Sequence, residues 1–195
     1  MGYEDVDSQI TEILVTAEQI DARLSELADG VSKHYENAET ETGRSLLLLG
    51  ILKGATYVMV DFSRKLSINS EIDLMCLSSY GSGTKSSGVV RVLKDIGADI
   101  NNRDVLIVED IIDSGTTLGW LVNNLANRSA RSVEVLSLLQ KKLPSGVSDT
   151  RVKAKWLGFE IENKFVVGYG LDFNEKYRTL PFVGVLSPSE YSNCR

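Results

Sequence analysis

The stretch that most limits what this chain can become is Val105-Leu-Ile-Val-Glu-Asp-Ile-Ile-Asp-Ser-Gly-Thr-Thr-Leu118. Val105–Val108 is short and apolar on both faces, as a strand buried inside a parallel sheet is. Leu118–Ala126 reads as a helix. Between them three acids (Glu109, Asp110, Asp113) and three hydroxyls (Ser114, Thr116, Thr117) surround Gly115. Open parallel sheets bind ligands beyond the carboxyl ends of their strands, which is where this turn falls. Unpaired N–H groups and the helix dipole make such a helix start an anion site, and Gly115 lets the backbone approach a phosphate. The carboxylates suit other partners, either ribose hydroxyls or a Mg²⁺ bridging a polyphosphate. Taken singly, these residues are ordinary helix caps and turn formers. The whole string, directly after a buried strand, points to a ligand. It is neither a P-loop nor a dinucleotide fingerprint, since Gly-x-x-x-x-Gly-Lys-[Ser/Thr] and Gly-x-Gly-x-x-Gly are both absent.

The rest of the chain supplies a framework for that segment. Ile13-Leu14-Val15 suggests a short strand. Thr16-x-x-Gln19 is a capping-box pattern, and Ile20, Leu24, Leu27 and Val31 follow at helical spacing, so residues 17–37 are expected to form an amphipathic helix. Residues 38–45 read as a polar loop. Leu46–Leu52 reads as a buried strand, and Gly54 precedes a helix with Ala55, Val58, Met59, Phe62 and Leu66 on one side. Glu71–Leu77 is a further strand, Ser78–Gly88 a Ser/Gly-rich mobile loop, Val89–Leu93 extended and Asp95–Arg103 a turn region. Val133–Leu139 is another strand. Alternating strands and helices over 46–140 imply an α/β fold, a parallel sheet flanked by helices. From about residue 152 the tail looks β-rich and is expected to form a small hood. We therefore expect a single domain over 1–195. Its core spans about 38–150, and its hood comes from the N-terminal segment and about 151–195.

With 195 residues, 43% hydrophobic and 25% charged, the chain has an ordinary globular composition. Its net charge of −6 argues against broad binding to nucleic acid or an anionic membrane, both of which need a basic face. Cys76 and Cys194 match no metal or redox spacing. The acidic Met-Gly-Tyr-Glu-Asp-Val start lacks the apolar core of a signal peptide. A cytoplasmic protein is expected. The lone histidine, His34, is read as structural or surface.

The string Val105–Leu118 resembles the phosphoribosyl pyrophosphate motif of type I phosphoribosyltransferases. More narrowly, Glu109-Asp-Ile-Ile-Asp-Ser-Gly115 is similar to the hypoxanthine-guanine phosphoribosyltransferases. Four further features carry the likeness. Leu52-Lys53-Gly54 resembles that family's pyrophosphate loop, and Ser79-Tyr80-Gly81 its flexible catalytic loop. Lys141 stands where the family keeps a purine-contacting lysine. Phe159–Arg178 resembles its purine-binding hood and the segment after it. The likeness runs from about residue 13 to 187.

The resemblance implies a Rossmann-like core with a small β-rich hood. It also implies a magnesium-dependent transfer from phosphoribosyl pyrophosphate to hypoxanthine or guanine, giving IMP or GMP and pyrophosphate in purine salvage. Glu109 and Asp110 would hold the ribose hydroxyls and Mg²⁺, and Asp172 a second Mg²⁺. Lys53, Gly54 and Arg178 would contact the pyrophosphate, with the Leu52–Lys53 peptide cis in many relatives. Asp113 would be the general base for the purine N7 proton, with the 5′-phosphate on Ser114, Gly115, Thr116 and Thr117. Thr116 replaces a lysine found in some members, which bears on the strength of phosphate binding. Phe165 would stack on the purine, Lys141 would donate to its 6-oxo group, and the backbones of Val166 and Asp172 would read its far edge. Ser79 and Tyr80 would belong to a loop that closes over the site. A homodimer or homotetramer is implied as well. The rival readings are a non-catalytic regulator on the same fold, an enzyme for xanthine, adenine or orotate, and an interaction module without a ligand.

Overall fold

The computed structural model describes residues 9–79, 90–144, 149 and 151–192. In chain order the elements are β1 (Ile10–Val15), α1 (Ala17–His34), α2 (Ala38–Thr42), β2 (Leu46–Leu52), α3 (Thr56–Ser63), β3 (Ser70–Ser79), β4 (Val90–Lys94), β5 (Asp104–Ile112), α4 (Thr116–Ala126), β6 (Ser132–Lys141), β7 (Trp156–Ile161), β8 (Val166–Val167), β9 (Val183–Leu186) and α5 (Pro188–Tyr191). No helix among the described residues is long and apolar enough to cross a membrane.

The apolar run Leu46–Leu52 becomes a central strand, buried along its length up to Leu52. Both of its edges are paired in parallel, to β3 on one side and β5 on the other. Side chains alternate across a strand, so the run feeds two apolar layers. Leu46, Leu48, Leu106 and Val108 pack with α1 and α3. Leu47, Leu49, Val105 and Ile107 pack with Leu118, Leu121 and Leu125 of α4. Each fully buried leucine or valine contributes roughly 1.5–3 kcal/mol. The large sheet runs β4-β3-β2-β5-β6-β7, parallel except for β4, which lies antiparallel on its edge. α1 starts at the expected capping box, with Thr16 Oγ1 accepting from Gln19 N and Gln19 Oε1 accepting from Thr16 N.

Four expectations shift. Residues 38–45, read as a loop, contain α2, a single turn of Ala-Glu-Thr-Glu-Thr closed by Gly43 at φ 71°; glycine tolerates that left-handed cap. β5 runs past Val108 to Ile112 because it stays paired with β6 as far as Gln140. Ladder hydrogen bonds belong to the backbone, so the acidic Glu109 and Asp110 do not end the strand. β3 extends through Ser79, so Ser78 and Ser79 belong to a strand rather than to the expected loop, and the rest of that span, 80–88, lies outside the described residues. The tail expected in the hood divides. β7 joins the large sheet beside β6, because Trp156, Phe159 and Ile161 pack on the layer formed with α1. Only β8 and β9 pair with β1, forming the small antiparallel sheet β1-β9-β8.

Candidate active site

In the strand order the chain moves from β2 outward to β3 and then returns to the other side of β2 with β5. The carboxyl ends of β2 and β5 therefore border the switch point of the sheet, the crevice where α/β folds take ligands. From β2 this edge receives Leu52, Lys53 and Gly54, and the Leu52–Lys53 peptide is cis. From β5 it receives Glu109 and Asp110, which sit inside the strand. The two sides touch: a methyl group on Gly54 would overlap the Asp110 carboxylate, so only glycine fits there.

Glu109 and Asp110 are partly buried neighbours. Burial is the main cause pushing the Glu109 carboxyl well above the usual carboxylate range, and the Asp110 charge adds to it. Asp110 is pushed up to about 6, again chiefly by burial, although the Ile111 amide and the Arg178 charge pull the other way. Ile111 N donates to Asp110 Oδ1 at 2.8 Å. Such a pair favours a partner that supplies positive charge or hydroxyl donors. Among the described residues, no three His, Cys, Asp or Glu side chains are grouped to enclose a metal. One or two carboxylates plus substrate oxygens is how Mg²⁺ binds polyphosphates, and the acidic pair fits that pattern.

The pair has a measurable consequence. Between about pH 4 and about pH 6 the folded chain holds a proton at Asp110 that the unfolded chain has released. This group's contribution to stability therefore falls as pH rises through that window. Asp110→Asn removes the charge and keeps an acceptor for Ile111 N. In Mg²⁺-free buffer its melting temperature should exceed the parent's by a margin that widens from about pH 4 to about pH 6. A margin independent of pH in circular-dichroism melts would contradict this origin of the strain.

Beyond β5, Gly115 adopts φ 72° as the N-cap of α4, whose first turn has no side-chain cap. Beside it lies a 160 Å³ cavity lined by Glu109, Asp113, Ser114, Gly115 and Thr117, among others. Asp113 is exposed on the turn. Its Oδ2 accepts from Lys141 Nζ at 3.0 Å, so the last residue of β6 lies against the acid expected to be the base. Phe165, just before β8, is 38% exposed, as a stacking surface would be. Val166 is buried within β8, where it pairs with Val185 of β9.

Across the crevice, Arg178 Nη2 pairs with Asp172 Oδ1 at 2.9 Å. Arg178 Nη1 donates to the Gly170 carbonyl at 2.7 Å, and its buried Nε has no partner among the described residues. Asp172 Oδ2 accepts from Glu175 N at 2.8 Å, so in this structure its carboxylate serves the arginine and the turn. Lys53 Nζ lies 3.1 Å from both Glu175 oxygens. Lys53, and then Arg178, hold the Glu175 carboxyl below the usual range. Glu175 thus links Lys53 to Arg178 and Asp172, Gly54 abuts Asp110, Lys141 pairs with Asp113, and Glu109, Asp113, Ser114, Gly115 and Thr117 line one cavity, whereas Phe165 and Val166 lie at the start of the small sheet. Tyr80 lies outside the described residues, and for Ser79 only the backbone, paired with Val90, is described. His34 stands apart, beside Glu134 at 3.2 Å, in a surface cluster with Lys155.

Three residues of the site were missed in the sequence. Arg151 Nη1 donates to the carbonyls of both Asp113 (2.9 Å) and Lys141 (2.8 Å), tying the two turns together. Tyr191 of α5 stacks on Phe165, with ring centroids 5.0 Å apart and planes 27° apart. Glu175 occupies the space between two cations. An arginine, a tyrosine or a glutamate in a polar stretch carries no local signal of this kind.

The phosphoribosyl transferase domain model matches residues 14–174. A hypoxanthine-guanine phosphoribosyltransferase of Mycobacterium avium is 49% identical over 182 residues, covering 93% of this chain and 88% of that protein. One from Bacillus subtilis (strain 168) is 41% identical, covering 94% of this chain and 97% of that protein. The crystal structure of a hypoxanthine phosphoribosyltransferase from Staphylococcus aureus superposes with a TM-score of 0.88 at 39% identity, covering 99% of this chain and 100% of that one. The match spans the sheet, the acid-hydroxyl turn and the hood segment through Asp172, and on these grounds the chain belongs to the phosphoribosyltransferase family, among the hypoxanthine-guanine phosphoribosyltransferases.

Proposed function

We propose that this protein transfers the 5-phosphoribosyl group from phosphoribosyl pyrophosphate to hypoxanthine or guanine, giving IMP or GMP plus pyrophosphate in purine salvage. One observation carries the reading: acids, hydroxyls and an open helix start share the β2–β5 switch point with Lys53, Arg178 and the Lys141–Asp113 pair. The bond from the anomeric carbon to pyrophosphate breaks as the bond to the purine nitrogen forms, so negative charge on the leaving group must be stabilised.

Lys53 and Arg178, which both reach the Glu175 carboxylate, do this together with the Gly54 backbone; the arginine offers a planar donor fork. The 5′-phosphate rests on the amides and hydroxyls of Ser114, Gly115, Thr116 and Thr117. Glu109 and Asp110 orient the ribose hydroxyls. The same pair would hold Mg²⁺, with Asp172 as a candidate for a second ion, and the metal would neutralise charge on the polyphosphate. Asp113 accepts the purine N7 proton, a role open to a carboxylate within hydrogen-bond reach. Lys141, freed from Asp113, donates to the 6-oxo oxygen, which favours hypoxanthine and guanine over adenine. Phe165 stacks on the base, while the backbones of Val166 and Asp172 read its edge.

The same reading makes the protein a cytoplasmic homodimer or homotetramer that binds neither nucleic acid nor membrane. The test is a spectrophotometric assay with phosphoribosyl pyrophosphate, Mg²⁺ and each purine in turn. Turnover is expected with hypoxanthine and guanine and not with adenine. An enzyme inactive on every 6-oxopurine would overturn the reading.

A further inference from the structure

Glu175 sits in a backbone conformation that its residue type disfavours. Asn174 and Glu175 are the two central residues of a tight hairpin, closed by Phe173 N donating to Lys176 O at 3.2 Å and Lys176 N donating to Phe173 O at 3.0 Å. Their φ angles are 51° and 63°. Two consecutive positive φ values define the type I′ turn, whose preferred sequence is Asn-Gly. Asn174 fits its place. Glu175 stands where glycine belongs, and a side chain with a Cβ is strained there. Strain of this kind clusters at functional sites.

The side chain shows what the turn presents. Its carboxylate accepts from Lys53 Nζ with both oxygens at 3.1 Å and lies 3.3 Å from Arg178 Nη2. The link from Lys53 joins the loop after β2 to the segment before β9, across the open crevice. Yet the side chain is 64% exposed, so solvent lies open to it once those pairings are broken. Its backbone N–H, bonded to Asp172 Oδ2 at 2.8 Å, keeps the turn anchored when the carboxylate leaves. Arg178 retains its own bond to Asp172 in the same event.

We infer that Glu175 is an internal counter-ion for the diphosphate subsite. It bridges Lys53 and Arg178 while the site is empty, is displaced when a diphosphate arrives, and returns to speed the diphosphate's departure. The inference rests on the reading of Lys53 and Arg178 as the diphosphate's cations. A ligand that must first break an existing pairing binds more weakly by the factor with which that pairing holds. The carboxylate therefore lowers diphosphate affinity, and its removal raises it.

The experiment is calorimetric titration of the full-length protein with inorganic pyrophosphate and Mg²⁺, and separately with GMP. It uses the parent, Glu175→Gln and Glu175→Gly. The glycine variant suits the turn, so it removes the carboxylate while relieving the strain. Both variants should bind pyrophosphate about five- to tenfold more tightly than the parent, at most about 1.4 kcal/mol. GMP, which leaves the diphosphate subsite empty, should bind unchanged. Single-turnover and steady-state rates should show slower pyrophosphate release in both variants. A purely structural role for Glu175 predicts the opposite, weaker binding of both ligands in Glu175→Gln. Pyrophosphate affinity unchanged or weakened in both variants would overturn the counter-ion role and leave the site assignment standing. A parent that binds no pyrophosphate would overturn the assignment of Lys53 and Arg178, and the counter-ion with it.

Discussion

Gly54→Ala is expected to lower kcat/KM for phosphoribosyl pyrophosphate by at least about a hundredfold, because a displacement of reacting groups by about an ångström costs that much. The added methyl group would overlap the Asp110 carboxylate across the switch point. The strands on either side are paired along Leu47–Gly50 and Val105–Val108, so the sheet cannot open to make room. The loop after β2 is pinned from behind as well, since Gly170 packs so closely on the Gly54 carbonyl that a side chain there would also clash. The overlap must be relieved by moving Lys53 or Asp110, and both belong to the proposed site. Initial rates with saturating purine and varied phosphoribosyl pyrophosphate, together with a thermal melt, separate lost chemistry from lost fold. A variant that melts like the parent and keeps activity within tenfold would show that the close approach does not constrain the site.

Asp113→Asn is expected to lower kcat by about 10² to 10⁴, the usual contribution of a positioned proton acceptor. Binding of phosphoribosyl pyrophosphate should change little, because the amides of Ser114–Thr117, proposed to hold the 5′-phosphate, are untouched. The substitution also breaks the 3.0 Å pair with Lys141 Nζ. Asp113 is largely exposed, and such pairs contribute at most about 1 kcal/mol, so the fold should tolerate the loss. The decisive comparison is pre-steady-state turnover against phosphoribosyl pyrophosphate affinity by calorimetry. Unchanged turnover would remove Asp113 from the base role. Loss of affinity in step with turnover would make it a binding group instead.

Much of the site could be read from the chain because its chemistry is contiguous. The acids and hydroxyls of Glu109–Thr117 follow one another, and Gly115 takes the left-handed φ that the turn into α4 requires. Leu46–Leu52 is a strand with the expected boundaries, and the Thr16–Gln19 capping box starts α1 where the spacing places it. The misses share a different character. β5 was cut short at Val108 because its hydrophobicity stops there, whereas its backbone ladder with β6 does not. The span 38–45 looked like a loop because a one-turn helix is too short to show periodicity. The β-rich look of the tail points to a hood, yet β7 pairs with β6 in the large sheet, a partnership that no local pattern reveals.

What the sequence determined by itself is therefore local: the apolar runs that must be buried strands, the capped helix, and a turn whose residue types suit a sugar, a phosphate and a cation. Each follows from side-chain chemistry and spacing within a dozen or so residues. Only the tertiary structure decided which distant groups meet that turn. Lys53 faces Glu175 across 122 positions of sequence, and Arg151 reaches back 38 positions to the Asp113 carbonyl. Tyr191 lies on Phe165 because β8 and β9 pair and carry the chain's last helix to it. Contacts of that kind depend on strand order and register, which arise from the packing of the whole sheet.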